Sequence, residues 1–393
     1  MTDKQTHVCR KSKTYKGFEQ GPIRPPSEAQ SLLIRVTRNC PWNKCTFCPV
    51  YKGERFSIRP VDHVIRDIDA VHAVIREIRA IEQRQYGQVT LTDIQHLRAT
   101  LKHPDPMAFQ AAVNWYRSGM TSIFIQDANS PLIKSADFIA VIRHLSDCFP
   151  WVERMTSYGR SHTLSRIADA DLVRMREAGL NRIHIGLESG SDAVLKKVRK
   201  GCNQEMHILA GQKVKKAGME LSEYVMPGLG GTGLSAIHAI ETAETLNAIN
   251  PDFIRLRTLA IPNKTPLYAD YAAGDFKKCT DREMAEEILL FLQHLDGITS
   301  RIKSDHVLNL FQEVDGRLPD EKAAMIGIVN RFLDLSPYEQ ALYQVGRRTG
   351  IFNRLTDMQN TERRLYAERT LQRFNITPDN VDAVIDEIMK QFI

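Results

Sequence analysis

The chain has 393 residues, 42% hydrophobic and 25% charged, a balance that can fill a large apolar core and excludes a disordered, collagen-like or disulfide-scaffolded chain. Lys and Arg number 53 against 47 Asp and Glu, leaving a net charge of +6, which permits anionic partners without singling out nucleic acid. No apolar run approaches the ~18–20 residues of a membrane span, and the opening M-T-D-K-Q-T-H-V-C-R-K-S-K lacks the apolar stretch of a secretory signal. The expectation is a cytoplasmic protein with no membrane partner.

From about residue 31 to 260, short β-branched apolar runs alternate with amphipathic helical stretches. Leu32 to Thr37 reads as a first strand, Thr121 to Gln126 as a second and Val152 to Ser157 as a third. Arg182 to Glu188, Glu220 to Met226 and Asp252 to Leu259 follow. Gly179 and Gly218 stand just past apolar periodic stretches, as helix C-terminal glycines do. Such alternation builds a parallel sheet covered by helices. Six β/α units fall short of the eight in a closed barrel, so the expected fold is α/β, a partial (β/α)6 TIM-type barrel. The first crossover, about 60–118, is too long for one unit and reads as an insertion of two helices. Residues 1–30 read as an N-terminal extension, 31–262 as the barrel and 263–393 as a mainly helical region with one further short strand near Thr299 to Lys303.

Seven cysteines are present, and Cys40, Cys45 and Cys48 fall within nine residues in C-P-W-N-K-C-T-F-C. This segment follows the first strand directly, at the end where barrels place their chemistry. A structural zinc site normally takes four protein ligands. Three close thiolates suit a cubane iron–sulfur cluster instead, leaving one iron without a protein ligand and open to react. Cys9, Cys148, Cys202 and Cys279 lack the spacing of an auxiliary cluster.

The cysteine segment, with Phe47 just before its last thiol, resembles the radical S-adenosylmethionine superfamily, although its C-x4-C-x2-C spacing is one residue longer than the usual C-x3-C-x2-C. Later segments carry the resemblance further. They are Q-D-A-N-S (Gln126 to Ser130), T-S-Y-G-R (Thr156 to Arg160), H-I-G-L-E-S-G-S-D-A-V-L-K-K-V-R-K-G (His184 to Gly201) and Y-V-M-P-G-L-G-G (Tyr224 to Gly231). The third is similar to the branch containing methylthiotransferases, the elongator catalytic subunit and oxygen-independent coproporphyrinogen oxidase. The resemblance spans roughly residues 20 to 260 and implies an enzyme with two cofactors, a [4Fe–4S] cluster on Cys40, Cys45 and Cys48 and S-adenosylmethionine on its open iron. One electron, from a donor such as flavodoxin or ferredoxin, would cleave the sulfonium to a 5′-deoxyadenosyl radical that takes hydrogen from a substrate. By position, Asp127 and Asn129 would accept from the methionine ammonium, Glu188 and Ser157 would hold ribose hydroxyls, Lys200 would pair with the methionine carboxylate, and the backbone at Phe47 and Gly228 would flank adenine.

Blander roles stand beside these. Glu188 could cap the helix beginning near Ser191, Asp127 and Asn129 could be turn formers, and Lys200 could be a solvated helix-end cation. Arg255 and Arg257 could face the barrel cavity or form buried ion pairs, and Asp305 and His306 could reach its mouth. The substrate is left open: a small molecule is favoured over RNA, and a non-catalytic cluster or haem carrier is the reading from another class.

Overall fold

The computed structural model describes residues 14–102 and 104–390, and Cys9 lies outside them. Strand β1 (Leu32–Arg35) is followed by the short strands β2 (Thr37–Arg38) and β3 (Ser57–Ile58), which pair antiparallel with each other. The cysteine segment spans the loop between β2 and β3 and is therefore tied at its base.

The insertion holds three helices, α1 (Val61–Arg84), α2 (Leu91–Thr100) and α3 (Pro106–Arg117), not the two expected. In α2 only Leu97 is buried, so no apolar period marks it. Its signal is a capping box: Thr90 Oγ1 accepts from the Asp93 N–H, and Asp93 accepts from the Thr90 N–H.

Strands and helices then alternate through β4 (Ser122–Gln126), α4 (Ser135–Cys148), β5 (Arg154–Tyr158), α5 (Ser161–Leu164), α6 (Asp169–Glu177) and β6 (Arg182–Glu188). After these come α7 (Asp192–Lys197), α8 (Gln204–Lys216), β7 (Glu220–Val225), α9 (Ser235–Ile249) and β8 (Phe253–Leu256). Gly179 and Gly218, just past α6 and α8, both have positive φ, which a glycine adopts without steric cost. The remainder comprises α10 (Pro266–Ala273), α11 (Asp281–His294), β9 (Arg301–Lys303), β10 (Gly316–Arg317), α12 (Lys322–Leu333), α13 (Pro337–Arg348), α14 (Thr361–Arg373) and α15 (Val381–Lys390).

The main sheet runs β1-β4-β5-β6-β7-β8-β9-β10, parallel up to β9 with β10 antiparallel. Its order has two ends, so this is an α/β partial barrel, and β9 is the extra strand expected near residue 300. Because strand side chains alternate, Ile123, Ile125, Met155, Ile183, Ile185, Leu221 and Ile254 turn to the helices and join the main core. The opposite face carries an aromatic ladder across four strands. Phe124 stands 5.4 Å from Tyr158, Tyr158 5.4 Å from His184, and His184 5.5 Å from Tyr224.

Two contacts fix what surrounds this barrel. On the N-terminal side, Glu28 is fully buried, accepts from Ser31 Oγ at 2.7 Å and lies 3.2 Å from His184 Nε2. On the C-terminal side, α11 packs on α9, and a buried ion pair of 2.7 Å between Arg348 and Asp281 joins α13 to α11. Among the described residues, no helix is long and apolar enough to cross a membrane.

Candidate active site

The cysteine loop needs two left-handed residues to turn back on itself, and asparagine occupies both: Asn39 has φ 67° and Asn43 φ 44°. Asparagine tolerates that region better than most side chains. Asn43 lies inside the four-residue spacer between Cys40 and Cys45. Its N–H reaches Cys40 Sγ at 3.4 Å, and its side-chain amide donates to the carbonyls of Tyr51 and Glu54. The longer spacing is thus taken up as an anchored turn. The Thr46 N–H donates to Val198 O at 2.9 Å, and the Leu267 N–H to Thr46 O at 3.1 Å. Trp42 Nε1 donates to Arg199 O at 2.7 Å, so the loop is stitched to the segment after α7.

Cys40, Cys45, Phe47 and Cys48 line a cavity of about 370 Å³ at the C-terminal ends of the strands, together with Ala128, Tyr158, Arg160, Glu188, Lys200, Cys202, Tyr224, Arg257 and His306. Burial pushes the Cys45 thiol up to about 11 and the Cys48 thiol upward, although Lys200 opposes both shifts. Three thiols on one wall, with Lys200 and Arg160 close by, fit a group that takes thiolates as ligands and brings its own positive charge.

Glu188 reaches the cavity through a backbone irregularity. The β6–β7 register shifts between Gly186 and Glu188, and Glu188 has φ 63°. A bulge re-aims a side chain in this way, and a non-glycine residue at positive φ holds strain of about 1–3 kcal/mol. Lys200 Nζ donates to Glu188 Oε1 at 3.0 Å. A Cβ at Gly186 would stand 2.4 Å from that oxygen and 3.1 Å from Nζ, so the pair needs glycine there. Burial alone would lower the Lys200 pKa, but Glu188 and neighbouring thiols push it to about 12. Lys200 also lies 5.8 Å from the Phe47 ring centre. Ser191 stands at the N-cap of α7 and makes no side-chain cap, and the Glu188 carboxylate is taken by Lys200 and not by the helix N-terminus.

Phe47, Glu188 and Lys200 therefore line the cavity, whereas Asp127, Asn129, Ser157 and Gly228 do not. Asp127 is fully buried, and its carboxylate is taken by Arg35 Nε at 2.6 Å and Tyr51 Oη at 2.9 Å. Asn129 accepts from the Arg160 N–H at 2.9 Å and donates to Thr163 Oγ1 at 2.8 Å. Both side chains hold the turn from outside and leave Ala128 on the cavity. Ser157 registers with Ile125 and Ile183 on the helix-facing side and donates to Tyr158 O at 3.2 Å. The Gly228 N–H is spent on Glu287 Oε1 at 2.7 Å.

Arg255 and Arg257 both meet Asp305 at 2.8 Å, and only Arg257 also lines the cavity, stacked 5.0 Å from the Tyr224 ring. Both arginines thus form ion pairs, with an Asp305 that is itself exposed, and Arg257 faces the cavity as well. His306 lies on the cavity wall, with its pKa pulled to about 4 by burial and then by Arg257. Cys202, which lacks the spacing of an auxiliary cluster in the sequence, lines the cavity too, 3.1 Å from His207 Nε2, whose Nδ1 is 2.7 Å from Ser161 Oγ. Tyr158, Arg160 and Tyr224 were also missed as wall residues. All three fall inside the quoted motifs, and strand alternation from Ser157 and Glu223 would have found the two tyrosines.

Residues 133–243 match the family model described as the Radical SAM superfamily. That stretch includes Glu188, Lys200 and Gly228 and leaves the cysteine loop outside. The chain is 22% identical over 211 residues to tRNA-2-methylthio-N(6)-dimethylallyladenosine synthase of Christiangramia forsetii, covering 53% of this chain and 38% of the relative. It is 25% identical over 122 residues to tRNA uridine(34) acetyltransferase of Methanocaldococcus infernus, covering 31% of this chain and 23% of the relative. It thus spans well under two thirds of these relatives. Among solved structures, coproporphyrinogen III oxidase from Escherichia coli aligns at TM-score 0.43 with 14% identity, over 67% of this chain and 52% of that one.

Proposed function

We propose that this radical SAM protein cleaves S-adenosylmethionine reductively at a [4Fe–4S] cluster held by Cys40, Cys45 and Cys48, to take a hydrogen atom from a substrate bound in the same cavity. When bound, the cluster and its S-adenosylmethionine supply one electron to the sulfonium and yield methionine and a 5′-deoxyadenosyl radical. The observation that carries the reading is convergence: the three thiols and the Glu188–Lys200 pair, far apart in sequence, share one cavity wall.

The chain's own groups then have distinct tasks. Lys200 offers a cation to the methionine carboxylate, and Glu188, released from Lys200 by that exchange, accepts from ribose hydroxyls. Phe47 gives an apolar face to adenine. Asp127 and Asn129 act through the turn they hold, presenting Ala128 to the methionine end, and Gly228 with Glu287 shapes the wall behind Met226. Tyr158 and Tyr224 keep water from the reacting centre, as radical chemistry requires. Arg257 and His306 face the space left for substrate. The electron comes from a small carrier of the flavodoxin or ferredoxin type.

The substrate reading favoured here is a small molecule, recognised by the part of the wall where Arg257 and His306 stand beside the aromatic Tyr158 and Tyr224. A second reading, a nucleoside within RNA, is supported by the two curated relatives, whose names both concern tRNA. Anaerobically reconstituted, dithionite-reduced protein should release 5′-deoxyadenosine slowly without substrate. A fully loaded, reduced cluster that releases none would leave the protein a carrier. Stimulation of release by unmodified tRNA, and not by the small-molecule fraction of a cell extract, would move the substrate to RNA.

A further inference from the structure

On the outer shell, away from the cavity, α1 and α4 pack side by side. Asp69 on α1 faces His144 and Cys148 on α4, and those two are one turn apart, so they share a helix face. His144 Nε2 stands 2.7 Å from Asp69 Oδ1 and 3.7 Å from Cys148 Sγ, and the three donor atoms all lie within 4.8 Å of one another. We propose that Asp69, His144 and Cys148 form a mononuclear Zn2+ site, independent of the iron–sulfur centre, with water in the fourth position.

Three observations support it. A tetrahedral zinc with about 2.0–2.1 Å bonds to N and O and about 2.3 Å to S separates its ligand atoms by roughly 3.3–3.6 Å. The observed spacings bracket that range, so small side-chain adjustments bring all three atoms to one ion. The donor set mixes imidazole, thiolate and carboxylate, which suits a borderline cation and not Mg2+ or Ca2+. Cys148 is the last residue of α4, and the free carbonyls of a helix C-terminus favour positive charge. The degree of burial also differs usefully: Cys148 is 9% exposed while the side chains of His144 and Asp69 are 31% and 55% exposed, so an ion can enter from solvent without opening the core.

The test uses the full chain with Cys40, Cys45 and Cys48 replaced by serine, which removes the competing thiol set, and Co2+ as the probe. One equivalent should bind saturably, with the strong visible bands of four-coordinate cobalt and a near-ultraviolet thiolate band, and Zn2+ should displace it. Asp69→Ala should weaken binding at least tenfold, and Cys148→Ser should remove the thiolate band. His144→Gln, at a half-exposed position, should weaken binding at least tenfold even if Cys148→Ser perturbs folding, which far-ultraviolet circular dichroism will report. Absence of saturable cobalt uptake, or uptake unchanged by both Asp69→Ala and His144→Gln, leaves an ordinary ion pair and overturns the site.

Discussion

Glu188 and Lys200 neutralise each other at 3.0 Å, with 14% and 12% of their side chains exposed. The resemblance implies a separate ligand contact for each, and the structure shows the two side chains paired with each other. A ligand that offers a carboxylate to Lys200 and hydroxyls to Glu188 replaces one internal ion pair with two charge-assisted sets of bonds, so it meets no isolated buried charge.

Glu188→Ala should therefore lower S-adenosylmethionine affinity by at least tenfold, because charge-assisted hydrogen bonds contribute about 1.5–3 kcal/mol each. Iron content should stay near that of the parent. The same change strands the buried Lys200 and should lower thermal stability, whereas Glu188→Gln should recover most of that stability and little of the affinity. Equilibrium dialysis beside a melting curve separates the two effects. Unchanged affinity in both variants would return Glu188 to a structural part.

The barrel was largely legible in the sequence because every strand from β4 to β8 carries helix-facing aliphatic residues between turn signals. As wall residues of the cavity, Cys40, Cys45, Cys48, Phe47, Glu188 and Lys200 were legible, since motif position and lining coincide there. The side-chain directions of Asp127 and Asn129, and the place of Gly228 off the cavity wall, were not legible. A motif fixes which residue stands in a turn but not which way its side chain leaves it. Asp127 turns towards Arg35 and Tyr51, partners 92 and 76 positions away, and no local pattern encodes such distant contacts. Ser157 follows from strand alternation, which puts it opposite Tyr158.

The iron count tests the cysteine assignment. Reconstituted protein should hold about four irons per chain, and replacing Cys40, Cys45 and Cys48 with serine should bring iron near zero, since a hydroxyl is a poor soft-metal ligand. Cys202 is the discriminating position because it lines the same cavity while its thiol is held by His207 at 3.1 Å. Cys202→Ala should leave iron and the cluster spectrum unchanged. Loss of one quarter or more of the iron in that single variant would make it a fourth ligand and close the iron that S-adenosylmethionine needs.

Glu223 is a polar group in the wrong solvent. It sits on the helix-facing side of β7, registered with Ile185 and Ile254, and neither carboxyl oxygen has a hydrogen-bond partner among the described residues. Burial raises its pKa well above the ordinary carboxylate value. Glu223→Gln should change stability by no more than about 1 kcal/mol, and Glu223→Leu should raise it, because an unsatisfied buried polar group costs about 1–3 kcal/mol. A fall in melting temperature of several degrees for the leucine variant would mean that the carboxyl has a partner this account omits.

Acid should loosen the fold through its buried imidazoles. Burial pulls His184 down to about 4 and His207 to about 3, although Glu28 beside His184 pulls it back upward. In the unfolded chain both titrate near 6.5. Their folded values are depressed, so the unfolded state binds protons first, and the stability they carry is present above pH 6.5 and lost as pH falls towards 4. The expected slope is about 1.4 kcal/mol per pH unit for each histidine within that window. Urea unfolding at pH 7.0, 6.0 and 5.0 measures it. Glu28, where burial pushes the pKa up but His184 and Arg154 hold it low, loses its contribution only below the ordinary glutamate value, outside the pH 7.0 to 5.0 range of the measurement. His207→Gln replaces a titrating ring with a neutral amide that can still meet Ser161, so this variant should show a shallower loss between pH 6.0 and 5.0 than the parent. Equal slopes in parent and variant would mean that His207 accepts its proton in the folded protein, and that its bonds to Ser161 and Cys202 do not require the neutral ring.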